Sequence, residues 1–300
     1  MASSTDSFTG VDLSRLPAPD VIEALDFETL RAAWIADFQA KFPAFDAAVE
    51  SDPIVKLCEV GAYREMILRQ RVNDAARAVM VAYARGADLD ALGALFQVER
   101  YVITPADPEA GTPAVLESDD DFRRRVVLAP EGYSVAGPAG AYIFHALNAS
   151  GDVADASATS PAPGQVVVTV LARSGDGTPS AGLLDTVAAA LNASTVRPLT
   201  DLVTVAAAEL LEFTVEATIT YRAGPDKAVV LAAAEAALDD YLAVSRRLGR
   251  SVTRAGVIAA LFANGVQNVE LAEPAADLEP TALQVAVCTG ITLADGGTAS

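Results

Sequence analysis

The chain has 300 residues, 52% hydrophobic and 20% charged, which is the balance of a folded protein of two or three domains and excludes a disordered one. Its net charge of −19 and pI near 4.3 would repel a phosphate backbone and argue against nucleic-acid binding. Two distant cysteines, Cys58 and Cys288, make no disulfide framework and read as reduced thiols of a cytoplasmically made protein.

Met1 to Asp26 reads as a polar arm carrying Pro17 and Pro19, with neither the basic nor the apolar part of a signal peptide. A helix is expected from an Asp26 cap through Phe42, with Leu30, Trp34 and Phe38 on one face and Pro43 as its stop. A long helix follows to Tyr83, broken at Gly86, and then a short one over Asp88 to Phe96. At about 100° per residue, Ile54, Leu57, Cys58, Gly61, Leu68, Val72, Ala75, Ala76, Val79 and Tyr83 form a stripe expected to face the core. Tyr63, Ile67 and Val81 fall near the opposite side, where a plain surface helix would be polar. Such a helix is either sandwiched inside its own domain or bound to a partner. Arg64, Arg69, Arg71, Asn73 and Arg77 stand in the same stretch and match no metal-ligand or nucleophile pattern. With Tyr63, Ile67 and Val81 they are the candidate partner-interface residues. Basic charge is almost all arginine, whose planar fork suits interfaces, although GC-rich coding produces the same bias.

Thr104 to Glu117 reads as a linker with three prolines. Ser118 then opens a helix through Leu128. Asp119, Asp120 and Asp121 in its first turn suit free N–H groups and the helix dipole better than a metal. Arg123, Arg124 and Arg125 either grip a partner or lie solvated. Beyond Tyr133 an α/β pattern occurs twice. Gly140 opens a helix, an Asn/Gly turn, a short strand, a proline loop and a strand over Gln165 to Leu171, and Gly256 opens the same series up to Leu283 to Leu293. Further elements are expected at Ala181 to Ala193, Leu202 to Ala207, Phe213 to Tyr221 and Asp226 to Arg246. The expected class is α+β: an all-α N-terminal domain, then two small α/β sandwich modules with antiparallel or mixed sheets. The expected boundaries are an arm over 1–26, a helical domain over 27–103, a linker over 104–117, and modules over 118–209 and 210–300.

Residues suited to chemistry are sparse. His145, the one histidine, sits inside a helical apolar pattern and reads as packed or half-exposed. With no second histidine and no cysteine cluster, zinc and Cys-His arrangements have no ligands. Gly175, Asp176 and Gly177 lack every phosphate-loop and calcium-loop frame and read as a turn before a Ser180 helix. A spatial pair of carboxylates is not legible in sequence. No apolar run approaches the roughly 20 residues of a membrane span. No catalytic, metal or cofactor residues are expected, and neither nucleic acid nor membrane is an expected partner.

Several segments, in order, resemble the baseplate J-like family. They are Leu57, Glu59, Ala62, Tyr63, Arg64 and Glu65 with Arg69, Arg71 and Asn73; then Ala84, Gly86, Leu89, Asp90, Leu92 and Gly93, closing on Val98 and Arg100. Asp120, Phe122, Arg123 and Arg125 follow, then Pro130 to Ser134, Ala136 to Pro138, and Ala141 with Tyr142. The last are Pro161, Pro163, Gly164 and Val166; Val196 to Asp201; and Gly265, Val266, Val269 and Pro274. The resemblance implies a non-enzymatic wedge protein in the tail baseplate of a contractile phage or a related genome-free injection particle. It implies assembly in the host cytoplasm around the tail hub. The implied partners are further copies of the chain, a smaller I-like wedge protein, and sheath-initiator or hub-side proteins. It also implies a rearrangement that triggers sheath contraction, a switch between two packings of one set of interfaces.

Overall fold

A computed structural model of the chain describes residue 13 and residues 19–46, 49–224 and 226–299. Most of the expected N-terminal arm, Pro17 included, lies outside the described residues. The chain divides into two compact units, Val11–Glu99 and the remainder from Arg100 onward. The expected α+β class holds, with a helical region first and small mixed sheets after it.

Among the described residues the first unit has three α-helices. α1 (Phe27–Lys41) starts where the Asp26 carboxylate accepts from the Thr29 backbone N–H and hydroxyl, both at 2.8 Å. α2 (Pro53–Ala78) starts on Asp52, with proline in the first turn where its missing N–H costs nothing. It ends at Ala78, five residues before the expected Tyr83, so Val81 lies in the turns after the helix. α3 (Gly86–Ala94) begins on Gly86, whose φ of +50° is a left-handed conformation that glycine takes without steric cost. The core is thin. Among its described residues six hydrophobic ones are buried (Val55, Cys58, Ala62, Ala84, Leu89, Val98), while twelve large ones are exposed, and α1 buries none.

In the second unit the expected linker is a small hairpin. β1 (Val102–Thr104) pairs antiparallel with β2 (Val115–Leu116), and the prolines occupy the intervening loop and strand ends, where no ladder N–H is needed. α4 (Asp119–Leu128) is capped by the Ser118 hydroxyl and runs into a 3₁₀ turn over Ala129–Tyr133. α5 (Ala139–Leu147) leads to the sheet β3 (Val153–Ala162), β4 (Gln165–Ala172) and β5 (Leu202–Ala207), with α6 (Ala181–Leu191) crossing between the last two. β4 is central, antiparallel to β3 and parallel to β5. Pro161, expected in a loop, closes the end of β3 beside a tight turn at Gly164. Val168, Val170, Leu191 and Ile143 fill the core between helices and sheet, each fully buried side chain contributing about 1.5–3 kcal/mol.

The second sheet is β7 (Val266–Glu273), β6 (Glu209–Tyr221) and β8 (Gln284–Thr298), with α7 (Lys227–Ser245) and α8 (Arg254–Leu261) on one face. Phe213, Val215, Ala217, Ile219 and Tyr221 alternate inward along β6, as their period-2 spacing predicts. The central strand is β6, antiparallel to β7 and parallel to β8. In the repeat suggested by the sequence, β7 and β8 correspond to β3 and β4. Those two pair directly in the first sheet, whereas β6 separates their counterparts in the second. The modules share composition and not strand order.

Candidate functional site

α2 has two sides, and the structure assigns them differently from the apolar count. Val55, Cys58, Ala62 and Asn73 are buried on it, and α1 covers that side. The Trp34 ring lies on Gly61 so closely that a Cβ there would meet it at 2.7 Å, and the Trp34 indole N–H donates to Glu65 at 2.6 Å. Arg31 donates to Glu59 at 3.2 Å. The stripe expected to face the core is therefore turned largely to solvent: Leu57 is 68% exposed and Leu68 67%, with Val72 and Val79 similar. Two physical facts rotate it. Glycine at 61 opens a slot for an indole, and a polar residue at 73 takes a core position because it has two backbone partners waiting.

Those partners are in the chain before α1. Asn73, 2% exposed, accepts from the Glu23 N–H at 3.0 Å and donates to the Glu23 carbonyl at 2.9 Å. Its full pairing makes burial of the amide affordable. Arg69 bridges Glu65 and Glu23 at 2.7 and 3.1 Å, and Arg77 stands 3.7 Å from Asp74. The Trp34 hydrogen bond, then Arg69, hold the Glu65 carboxyl below the usual range. Tyr63 and Ile67 are exposed, Val81 is half-buried beyond the helix, and Arg64 and Arg71 are exposed without an ion pair or hydrogen bond among the described residues.

Leu57, Val60, Arg64, Ile67 and Arg71 recur at a 3-4-3-4 spacing, and Leu68 and Val72 flank them. That is the repeat of a coiled-coil seam, about 3.5 residues per turn. Five of these seven are apolar and exposed. The sequence stripe contained Leu57, Leu68 and Val72 but placed them inside.

In the second unit the acidic and arginine runs meet each other. Asp121 accepts from Arg173 at 2.7 Å and from Arg247, and Asp155 accepts from Arg124 at 2.6 Å and from the Leu248 N–H at 2.8 Å. Arg247 also donates to the Ala154 carbonyl at 2.6 Å, so the two sheet modules are joined by charge around a small apolar cluster of Leu171, Ala208, Leu248 and Val285. Burial pushes the Asp121 carboxyl up, but Arg247 and Arg173 outweigh it and hold it below the usual range. Arg125, 4% exposed, stands 3.4 Å from Glu117 and stacks 4.1 Å from the Tyr101 ring. Burial raises the Glu117 pKa and lowers that of Arg125. Arg123 pairs with the exposed Asp120 at 2.6 Å. The arginine run is thus spent inside the chain: neither gripping nor simple solvation describes Arg124 and Arg125.

Among the described residues, groups for chemistry do not converge. His145 is half-buried at the end of α5 against Phe144, and burial lowers its pKa. Asp176 makes a turn by accepting from the Thr178 N–H at 2.9 Å, and Ser180 caps α6 as expected. A cleft of about 650 Å³ opens between this turn, α7 and the β6–β8 strands. It contains Asp176, Asp239, Arg246 and Cys288, with no base beside a nucleophile. Among the described residues no group of three His, Cys, Asp or Glu side chains is placed to hold a metal, and no helix is long and apolar enough to cross a membrane.

Three domain families match in chain order: the baseplate J-like N-terminal domain over residues 50–107, the central domain over 134–207, and the C-terminal domain over 213–294. Baseplate protein J of Escherichia phage P2 is 46% identical over 296 residues, covering 96% of this chain and 98% of that protein. A chain of the anti-feeding prophage (AFP) baseplate, seen by cryo-EM with 6-fold symmetrisation, is similar at TM-score 0.40 and 19% identity. The match spans 59% of this chain and less than half, 42%, of that one. With three family domains in order and near-full-length identity to a baseplate protein J, the chain belongs to the baseplate J-like family.

Proposed function

We propose that the chain is a structural component of a contractile-tail baseplate, working as a wedge protein and not as an enzyme. The exposed seam on α2 carries the proposal. A helix that turns Leu57, Val60, Ile67, Leu68 and Val72 to water, in a unit whose described residues include six buried hydrophobic ones, is short of apolar cover. Family membership and the likeness to baseplate protein J of phage P2 support a baseplate as the setting. In this account the α2 seam, with Tyr63 at its margin, packs in a helical bundle. Asn73, Arg69 and Arg77 shape the helix that presents it. The α/β modules meet neighbours around the hub, and the partners are further copies, a smaller I-like wedge protein and hub-side or sheath-initiator proteins. The chain resides in the virion's tail baseplate after assembly in the host cytoplasm. Triggering is a shift between two packings of the wedge, driven only by the difference in their binding free energies.

Co-expression with the adjacent tail genes, followed by native mass measurement, tests this. A complex of defined stoichiometry containing the chain is expected. A chain that stays alone beside every co-encoded tail protein would overturn it.

A further inference from the structure

The cleft beside the second sheet is lined by six consecutive residues of β8, Ala286 to Ile291. Side chains alternate across a strand, so a cleft that meets all six touches the strand's edge and not one face. β8 is an outer strand of its sheet, and among the described residues its free side is covered at its start, where the Gly249 N–H donates to the Gln284 carbonyl at 3.0 Å. Further along, Thr289 forms a bulge and its hydroxyl donates to the Phe213 carbonyl at 3.2 Å. The opposite wall is the last turns of α7 and the turn at Gly175. Two polar groups lining this cleft have no partner among the described residues. Ser245 is 2% exposed and its hydroxyl makes no hydrogen bond. Arg246 donates to the Gly175 carbonyl at 3.2 Å, while its buried Nε has no acceptor. Such buried groups are costly unless something meets them.

Three features select the occupant. The edge lies back between α7 and the turn, so an isolated extended segment reaches it, whereas a second copy's β8 would bring its own α7 against these walls. The unpartnered groups call for acceptors, and an extended backbone carries a carbonyl at every residue. Charge decides the rest. Asp176 and Arg246 offset one another, but Asp239 at the rim is exposed and unpaired among the described residues. A basic segment matches that rim, and this chain, with 40 acidic against 21 basic residues, is poor in such segments. We propose that the β8 edge takes an extended basic segment of a different polypeptide as a fourth strand. One apolar side chain seats over Phe213, Leu242 and Val252, backbone carbonyls meet Ser245 and Arg246, and a lysine or arginine lies over Asp239. The proposal does not depend on the α2 seam.

Two peptides of about eight alternating valines and threonines test this against the full chain by fluorescence anisotropy, one ending in two lysines and the other in two glutamates. The lysine peptide should bind at least about threefold more tightly, and the order should reverse on Asp239→Lys. N-methylation of one alternate set of its amides should weaken binding at least about tenfold and that of the other set should not, because a strand pairs through every second residue. Bound peptide should slow maleimide alkylation of Cys288, in the cleft, while the buried Cys58 stays unreactive throughout. Ser245→Ala should lower affinity at least about threefold with no fall in Tm. Binding of neither peptide, or an equal effect of the two N-methyl sets, overturns the inference. So does a Cys288 that is unreactive before peptide is added: in a monomer by sedimentation the chain covers its own edge, and in a dimer a second copy does. A lower Tm of Ser245→Ala at unchanged affinity gives the hydroxyl to the fold and overturns its assignment to a ligand.

Discussion

Asp121→Asn removes one charge from a place where two arginines depend on it. The Asp121 side chain is 14% exposed and accepts from Arg173 at 2.7 Å and from Arg247, each 27% exposed. Asparagine keeps the shape and loses both charge pairings, leaving two guanidinium groups facing each other at the joint between the modules. Removing one member of a buried pair costs about 3–5 kcal/mol, and the partial exposure of the arginines places this case near the lower end, about 3 kcal/mol. For a unit of about 200 residues that is a fall in Tm of roughly 6–12 °C. Asp120→Asn is the control. It stands in the same first turn of α4 and feels the same helix dipole, but its side chain is 88% exposed and meets only Arg123, so its Tm should move by no more than about 2 °C. Differential scanning calorimetry of the full chain distinguishes the two. Equal losses, or an unchanged Asp121→Asn, would refute the arginine-centred joint. The same geometry fixes a pH dependence. Asp121's folded pKa lies below its ordinary 3.8, so its contribution is complete above that value and is lost as pH falls through the lower folded pKa. Asp121→Asn should flatten the acid limb of stability below about pH 4.

Gly61→Ala should push the Trp34 ring away and break its bond to Glu65, at about 1–3 kcal/mol. Trp34 is the only tryptophan, so its emission maximum reports the shift directly, and an unmoved spectrum would contradict the close packing. Asn73→Ala should leave both Glu23 backbone groups without their partner and cost about 1–3 kcal/mol, read as faster limited proteolysis ahead of α1; unchanged cleavage would mean the amide holds nothing there. A peptidoglycan zymogram of the purified chain should show no clearing, and clearing would sink the non-enzymatic proposal.

Where local physics decides, the sequence was readable. Capping at Asp26, Ser118 and Ser180 and the period-2 alternation of β6 depend on near neighbours along the chain and appear as expected. Where burial depends on a distant residue, it was not. The apolar count on α2 placed Leu57, Leu68 and Val72 inside, because nothing near Gly61 announces that Trp34 will occupy it, and nothing near Asn73 announces Glu23. Arg124 reads from sequence as either gripping a partner or solvated because its carboxylate, Asp155, lies 31 residues away. The partner-interface candidates mixed two roles for the same reason. Tyr63, Arg64, Ile67 and Arg71 point to solvent, whereas Asn73 and Arg69 bind the segment before α1.

Side-chain footprinting by hydroxyl radicals, comparing the isolated chain with assembled baseplates, tests the α2 seam most directly. Leu57, Val60, Ile67, Leu68 and Val72 should react readily in the isolated chain and lose most of that reactivity on assembly. Full reactivity of all five in assembled particles would contradict the claim that this helix is where the chain is held.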